Sequence, residues 1–276
     1  MSEIYPIIDA HCHVFPDAIA EKSKSAVSEF YELPMYTSGT AHNLQKERNR
    51  VISVNGTDYK IVRQLISAPA VTAKQTASIN SFIAGLVKQD NAFIGFGTLH
   101  PENTNYVGIL SSFKQNGLLG LKLHSDFQRF SIDDPDMYPV YETAEKLGLP
   151  ILFHMGDRKL DFSHPRRLQT VLQCFPHLTV IAAHMGGYSH WSEAFDLLQP
   201  SGRLYFDLSS TVQFIDGEML KRFLDKFGEE QFFFGSDFPM WDPAKELEKL
   251  LSFGLPESTL QNILHDNFLR YIEKRA

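Results

Sequence analysis

The fold class this sequence predicts is α/β, a (β/α)8 or TIM barrel, and three observations predict it. From residue 58 onward, short apolar runs alternate with polar or Gly-bearing stops and with segments of helical period, which is the beat of successive βα units. Several runs, among them Leu178–His184 and Gln231–Gly235, are apolar without alternation, as expected of parallel strands covered on both faces. The length of 276 residues suits a barrel of roughly 250 residues, and no nucleotide-binding glycine fingerprint argues for an open doubly wound sheet.

The predicted strands are Ile4–Ala10, Ile61–Ser67, Phe93–Leu99, Leu118–Leu123, Pro150–His154, Thr179–His184, Leu204–Leu208 and Gln231–Gly235. Between them the 3.6-residue period predicts helices near Ser78–Lys88, Tyr106–Asn116, Met137–Leu147, Arg166–Cys174, Trp191–Leu198, Gly217–Phe227 and Pro243–Ser252, several opened by Pro, Ser or Asp. The first connection is the exception. Residues 14–59 far exceed an ordinary βα loop and carry Phe15, Phe30, Tyr31, Met35 and Tyr36 among charges, so they read as helices and loop inserted over the barrel mouth. The tail Glu257–Lys274 reads as extra helices on the outside. No repeat, low-complexity tract or linker divides the chain, which predicts one domain over 1–276.

Composition narrows the function classes. Hydrophobic residues at 43% and charged residues at 21% are ordinary for a globular domain, and a net charge of −7 argues against a nucleic-acid partner. Only Cys12 and Cys174 are present, far apart, which points to a reducing compartment rather than a stapled secreted fold. No basic leader followed by an apolar core opens the sequence, and no run of about 18 apolar residues could span a membrane. The expected location is cytoplasmic, without a membrane partner, and the sequence is compatible with a homodimer.

Histidine carries the functional signal. Of eleven, His11, His13, His100, His124, His154 and His184 fall at or just past a strand's C-terminal end, the rim where barrel active sites are built. A single such histidine is most often a satisfied core or surface residue; six at converging ends are not explained that way. In Asp9-Ala10-His11-Cys12-His13 the two imidazoles sit at i and i+2, so one strand face can present both to one ion, with Asp9 beneath. Imidazole suits zinc and its first-row neighbours. Phe153-His154-Met155-Gly156, Ala183-His184-Met185-Gly186-Gly187 and Gly235-Ser236-Asp237-Phe238-Pro239 each add one ligand or proton-transferring group, followed by turn residues. A carboxylate at Asp237 could instead cap the following helix, but that reading leaves the histidines unexplained.

In this order the motifs resemble the amidohydrolase superfamily, specifically the amidohydrolase-related branch of metal-dependent barrel hydrolases and decarboxylases, over nearly the whole chain. The resemblance implies a divalent metal held by His11, His13, His154 and Asp237, with His184 binding a second ion or orienting the reacting group. The expected ion is one Zn2+, with Mn2+ or Fe2+ compatible. Lys122 and His124 share one strand face; a carbamylated Lys122 would bridge a second ion, whereas a free Lys122 would anchor a substrate carboxylate. Asp237 and His184 are the expected catalytic groups. Lys122, His124, Arg129 and Arg158 are the expected substrate contacts, since guanidinium forks bind carboxylates in bidentate fashion. The partner implied is a small carboxylated molecule. The activity expected is hydrolysis of its ester, lactone or amide bond by metal-activated water; the alternative is nonoxidative decarboxylation of an aromatic or unsaturated acid at the same centre.

Overall fold

The computed structural model describes residues 4–275. Its strands are β1 (Ile4–His13), β2 (Val51–Val54), β3 (Thr57–Ser67), β4 (Phe93–Thr98), β5 (Leu118–Leu123), β6 (Ile151–Phe153), β7 (Val180–Ala182), β8 (Leu204–Asp207) and β9 (Phe232–Phe233). Strands β1 and β3 to β9 pair in parallel in chain order. The last and first approach each other through the Ala10 amide on the Phe234 carbonyl (2.9 Å) and a Cys12–Phe238 bridge, so eight parallel strands form a nearly closed (β/α)8 barrel. All eight predicted strands are present, within a few residues of their expected ends.

Two packed clusters explain the closure. Inside the barrel, Ile8, Leu65, Phe96, Leu152, Ile181 and Phe233 meet from six strands, and Phe268 and Tyr271 of the C-terminal helix join them. That helix sits at the strands' N-terminal end, where Asn267 Nδ2 donates to the carbonyls of Glu229 (2.8 Å) and Phe232 (2.9 Å). The larger cluster lies between the sheet and the outer helices and includes Ile7, Leu121, Phe153 and Phe206. Strand β1 slips register between Asp9 and Cys12. Such a bulge re-aims side chains: Ala10 packs in the barrel interior while His11 turns onto Lys122 and Asp207.

The inserted segment differs from the sequence expectation in one respect. It contains helix α1 (Asp17–Tyr31) and helix α2 (Ala41–Asn49), but its last part is β-structure. Strand β2 folds back antiparallel on β3, which begins at Thr57 rather than Ile61. The turn is Asn55-Gly56, with φ of 51° and 82°. Two left-handed residues in sequence are what a tight hairpin needs, and Asn-Gly supplies them at least cost.

Candidate metal centre

The C-terminal ends of the strands bring the predicted histidines together. His11, fully buried, places Nδ1 3.0 Å from Asp207 Oδ2 and Nε2 3.0 Å from Lys122 Nζ and 3.6 Å from Asp237 Oδ1. His13 Nε2 lies 3.3 Å from the same Asp237 oxygen. Asp237 adopts a left-handed φ of 55°, a strained conformation of the kind functional sites retain. Its Oδ2 accepts from Ser210 Oγ (2.6 Å), which in turn accepts from Trp241 Nε1 (2.8 Å). His184 also has positive φ (57°) and faces His154, Nε2 to Nδ1, at 3.0 Å. His124 stacks on His154 with ring centroids 3.8 Å apart.

Burial and neighbouring charge set the protonation states. Desolvation, with the Lys122 cation adding to it, lowers His11 to about 4 despite Asp207. Burial also lowers His184, and takes His154 and His124 well below the ordinary range, so the imidazoles are neutral near pH 7. Burial lowers Lys122 to about 8, against the pull of Asp207 and Asp237. For Asp237 burial pushes upward, but the His13 hydrogen bond and the charges His184 and His11 acquire in acid outweigh it and hold the carboxyl well below its usual range.

The hydrogen-bond partners then fix where the lone pairs point. The Ser209 carbonyl (3.1 Å) can only accept, so His184 carries its proton on Nδ1. The Gly156 carbonyl (2.9 Å) likewise keeps the His154 proton on Nε2, and Asp207 keeps the His11 proton on Nδ1. Imidazole lone pairs of His184 and His154 therefore face each other, while that of His11 lies 3.0 Å from the Lys122 amine and 3.6 Å from the ionised Asp237 carboxylate. Protons are disfavoured as the remedy because burial lowers these imidazoles. A cation among the donors removes the repulsion, and ligand atoms of His11, His184 and Asp237 all lie within 4.8 Å of one another. Nδ1 of His13, buried nearby, has no hydrogen-bond partner. The residues fit a divalent metal, with Asp207 and Ser209 as the outer partners that orient its imidazoles.

Residues 8–270 match the Amidohydrolase family. The chain belongs to that family. Over 237 residues, 70% of its length, this amidohydrolase is 26% identical to 2-amino-3-carboxymuconate-6-semialdehyde decarboxylase of Dictyostelium discoideum, and it spans 65% of that relative's length. Its fold is similar to an uncharacterized TIM-barrel protein of Bordetella bronchiseptica (TM-score 0.75, 18% identity, covering 98% of this chain and 99% of the other). It is also similar to a dihydroxybenzoic acid decarboxylase of Polaromonas sp. JS666 solved with manganese and 2-nitroresorcinol (TM-score 0.70, 16% identity, 99% and 98%). The centre of this amidohydrolase is a divalent-metal site. The expectation of hydrolysis is corrected by these relatives. Decarboxylases predominate among them, including 5-carboxyvanillate and 2,6-dihydroxybenzoate decarboxylases, although 2-pyrone-4,6-dicarboxylic acid hydrolases occur too. Strand-end histidines and a carboxylate report a metal-competent donor set, not the bond that is broken.

The four predicted substrate contacts are not all brought together. His124 lies on the floor of a cavity of about 370 Å3 above the metal centre, and the exposed Arg129 lines it. Lys122 is wholly buried against His11 and does not line it. Arg158 is exposed and stacks over Tyr188 (5.4 Å) instead. Asp9 does not face the histidines either; it accepts from the Ser236 amide (2.9 Å) and hydroxyl (2.5 Å) and so ties the first strand to the last. The sequence does not single out Asp207 or Asp126, and it puts Tyr31 over the barrel mouth without a role. Asp207 ends β8 on the inward side, a position strand periodicity could have flagged. Asp126 lies on a single helical turn after β5, 3.7 Å from His154, and Tyr31 ends α1 with its hydroxyl 3.1 Å from His124 and 3.3 Å from His154. Neither carries a spacing signal.

Proposed function

We propose that this amidohydrolase is a metal-dependent nonoxidative decarboxylase of a small aromatic or unsaturated carboxylic acid. The observation that carries the proposal is the alignment with a decarboxylase over 237 residues, in a chain whose strand ends converge on an ionised carboxylate among neutral imidazoles. His11, His13, His154 and Asp237 would hold the ion, with His184 placed to join them. The imidazole-rich set favours zinc, with manganese or iron able to substitute. When bound, the ion supplies positive charge that draws electron density from the substrate as carbon dioxide departs.

The reaction balances as one acid anion plus one proton giving carbon dioxide and a new C–H bond. The bond from carbon to carboxylate breaks, its electron pair stays on carbon, and a proton closes the valence. Asp237, ionised at rest and held at Oδ2 by the Ser210 hydroxyl (2.6 Å), is the group we assign to take up a proton from solvent and pass it to the vacated carbon, a role typically worth ~10²–10⁴-fold in rate. His184, neutral and oriented by Ser209, holds the reacting portion against it. His124 and Arg129 are the groups within the cavity suited to a carboxylate.

The test is carbon dioxide release from hydroxybenzoates and unsaturated amino dicarboxylates by zinc- or manganese-loaded protein run in deuterated solvent. Carbon dioxide with deuterium on the vacated carbon supports the reading. No release from any acid that binds would overturn it.

A further inference from the structure

Helix α1 presents one face to empty space. Ile19, Ser23, Ala26, Val27 and Phe30 follow helical spacing and all line the cavity over the metal centre. Ala20 is the one residue of the helix that is buried, and Ile19, Val27 and Phe30 belong to neither packed cluster of the barrel. The segment after β3 contributes Val71, Ile79 and Phe82 to the same cavity. Ile19 and Val71, at the mouth of the cavity lining, are 46% and 47% exposed. The floor is the polar part, through His13, His124, His154 and Asp237. Among the described lining residues Arg129 is the one arginine, and no lysine occurs.

A cavity of about 370 Å3 with a metal-binding floor and apolar walls matches an acid with an apolar extension. A second carboxylate would be desolvated against Val27, Ile79 and Phe82, where Ser23 and Gln75 offer neutral polar groups but no cation, at a cost no apolar contact offsets. We propose that the substrate is a monocarboxylic acid whose unsaturated or aromatic head reaches the histidine floor while an aliphatic or aryl substituent of several carbons fills the chamber beneath α1. This rests on the decarboxylase reading only for the head group; the chamber argument concerns binding alone.

Calorimetric titration of the zinc-loaded protein with 2-hydroxybenzoate and its 4-alkyl homologues from methyl to pentyl tests it, alongside the dicarboxylate 4-hydroxyisophthalate. The dissociation constant is expected to fall by about fourfold per methylene buried, and the dicarboxylate to bind more weakly than 2-hydroxybenzoate. Val27→Asn should flatten the dependence on chain length, and the near-isosteric Val27→Thr should weaken it if the first variant does not fold. A dissociation constant that is level or rises with chain length, tighter binding of the dicarboxylate, or no binding by any homologue overturns the proposal. Carbon dioxide release from the same acids reports on the reaction separately. Rising affinity without release would retain the chamber and remove the decarboxylase, whereas release with level affinity would do the reverse.

Discussion

The two ends of the barrel are built from the same strands and solve opposite problems. At the N-terminal end, Phe96, Phe233, Phe268 and Tyr271 fill the interior with apolar volume. At the C-terminal end, β1, β5 and β8 and the turn after β7 deliver His11, Lys122, Asp207 and His184 into almost complete burial. The first end gains from desolvation; the second opposes it, with imidazoles forced neutral, Lys122 lowered to about 8 and lone pairs turned against one another. Fold stability and function are thus separated along the strand axis, and damage at one end should leave the other measurable.

The largest effect should come from Asp237→Asn. The amide cannot take up a proton and is a poorer ligand, so kcat/KM should fall by ~10²–10⁴-fold while the melting temperature of the metal-free protein changes little. Equal loss of stability and rate would mean that Asp237 is a structural residue. Phe268→Ala, at the opposite end, should do the converse. Emptying that site should cost about 3–5 kcal/mol by denaturant titration, with kcat per folded molecule preserved. A selective loss of kcat would break the separation of the two ends.

Glu246, on the helix after β9, is a buried carboxyl that belongs neither to the proposed ligand set nor to the apolar cluster inside the barrel. Neither oxygen has a hydrogen-bond partner, and burial, aided by the charges of Asp237, Asp9 and Asp242 and only eased by Gln213, raises it to about 8. Its folded pKa lies above the unfolded value of about 4.5, so between pH 4.5 and 8 the unfolded chain gives up this proton first, and stability falls as pH rises. The isosteric Glu246→Gln removes that contribution. The stability difference between variant and wild type should widen by roughly 1.4 kcal/mol per pH unit across this window and level off outside it. A difference independent of pH would show that Glu246 is not held protonated. The smallest effect expected is that of Asp207→Asn, which leaves every proposed ligand in place but loosens the orientation of His11. Metal affinity, read by competition with a chelator, should weaken by about 10–100-fold, whereas an unchanged affinity would remove Asp207 from the centre.

How much of this was legible beforehand follows the same division. Strands such as Leu118–Leu123 announce themselves because both faces are covered and the apolar run is unbroken. His11, His13, His154, His184 and Asp237 could be read because strand ends converge in a barrel whatever their separation in sequence. The β2–β3 hairpin was also present in the sequence, in Asn55-Gly56, but the long polar insertion masked the short strands beside it. Tyr31 and Asp126 were not legible, because no period links residues on an inserted helix or a single helical turn to a strand end, and only tertiary packing brings them to His154. Spacing puts Lys122 on the same strand face as His124 but does not give its depth, which the contact with His11 sets.

Anomalous scattering from crystals of metal-loaded protein distinguishes a metal centre at the histidine floor from a polar cluster that binds no ion. A strong peak is expected among His11, His13, His154 and Asp237, with His184 beside it, about 2.0–2.2 Å from the coordinating nitrogen and oxygen atoms. A peak among His124, Asp126 and His154 alone, or at the surface group His164, His190 and Glu193, or no peak at all, would contradict it.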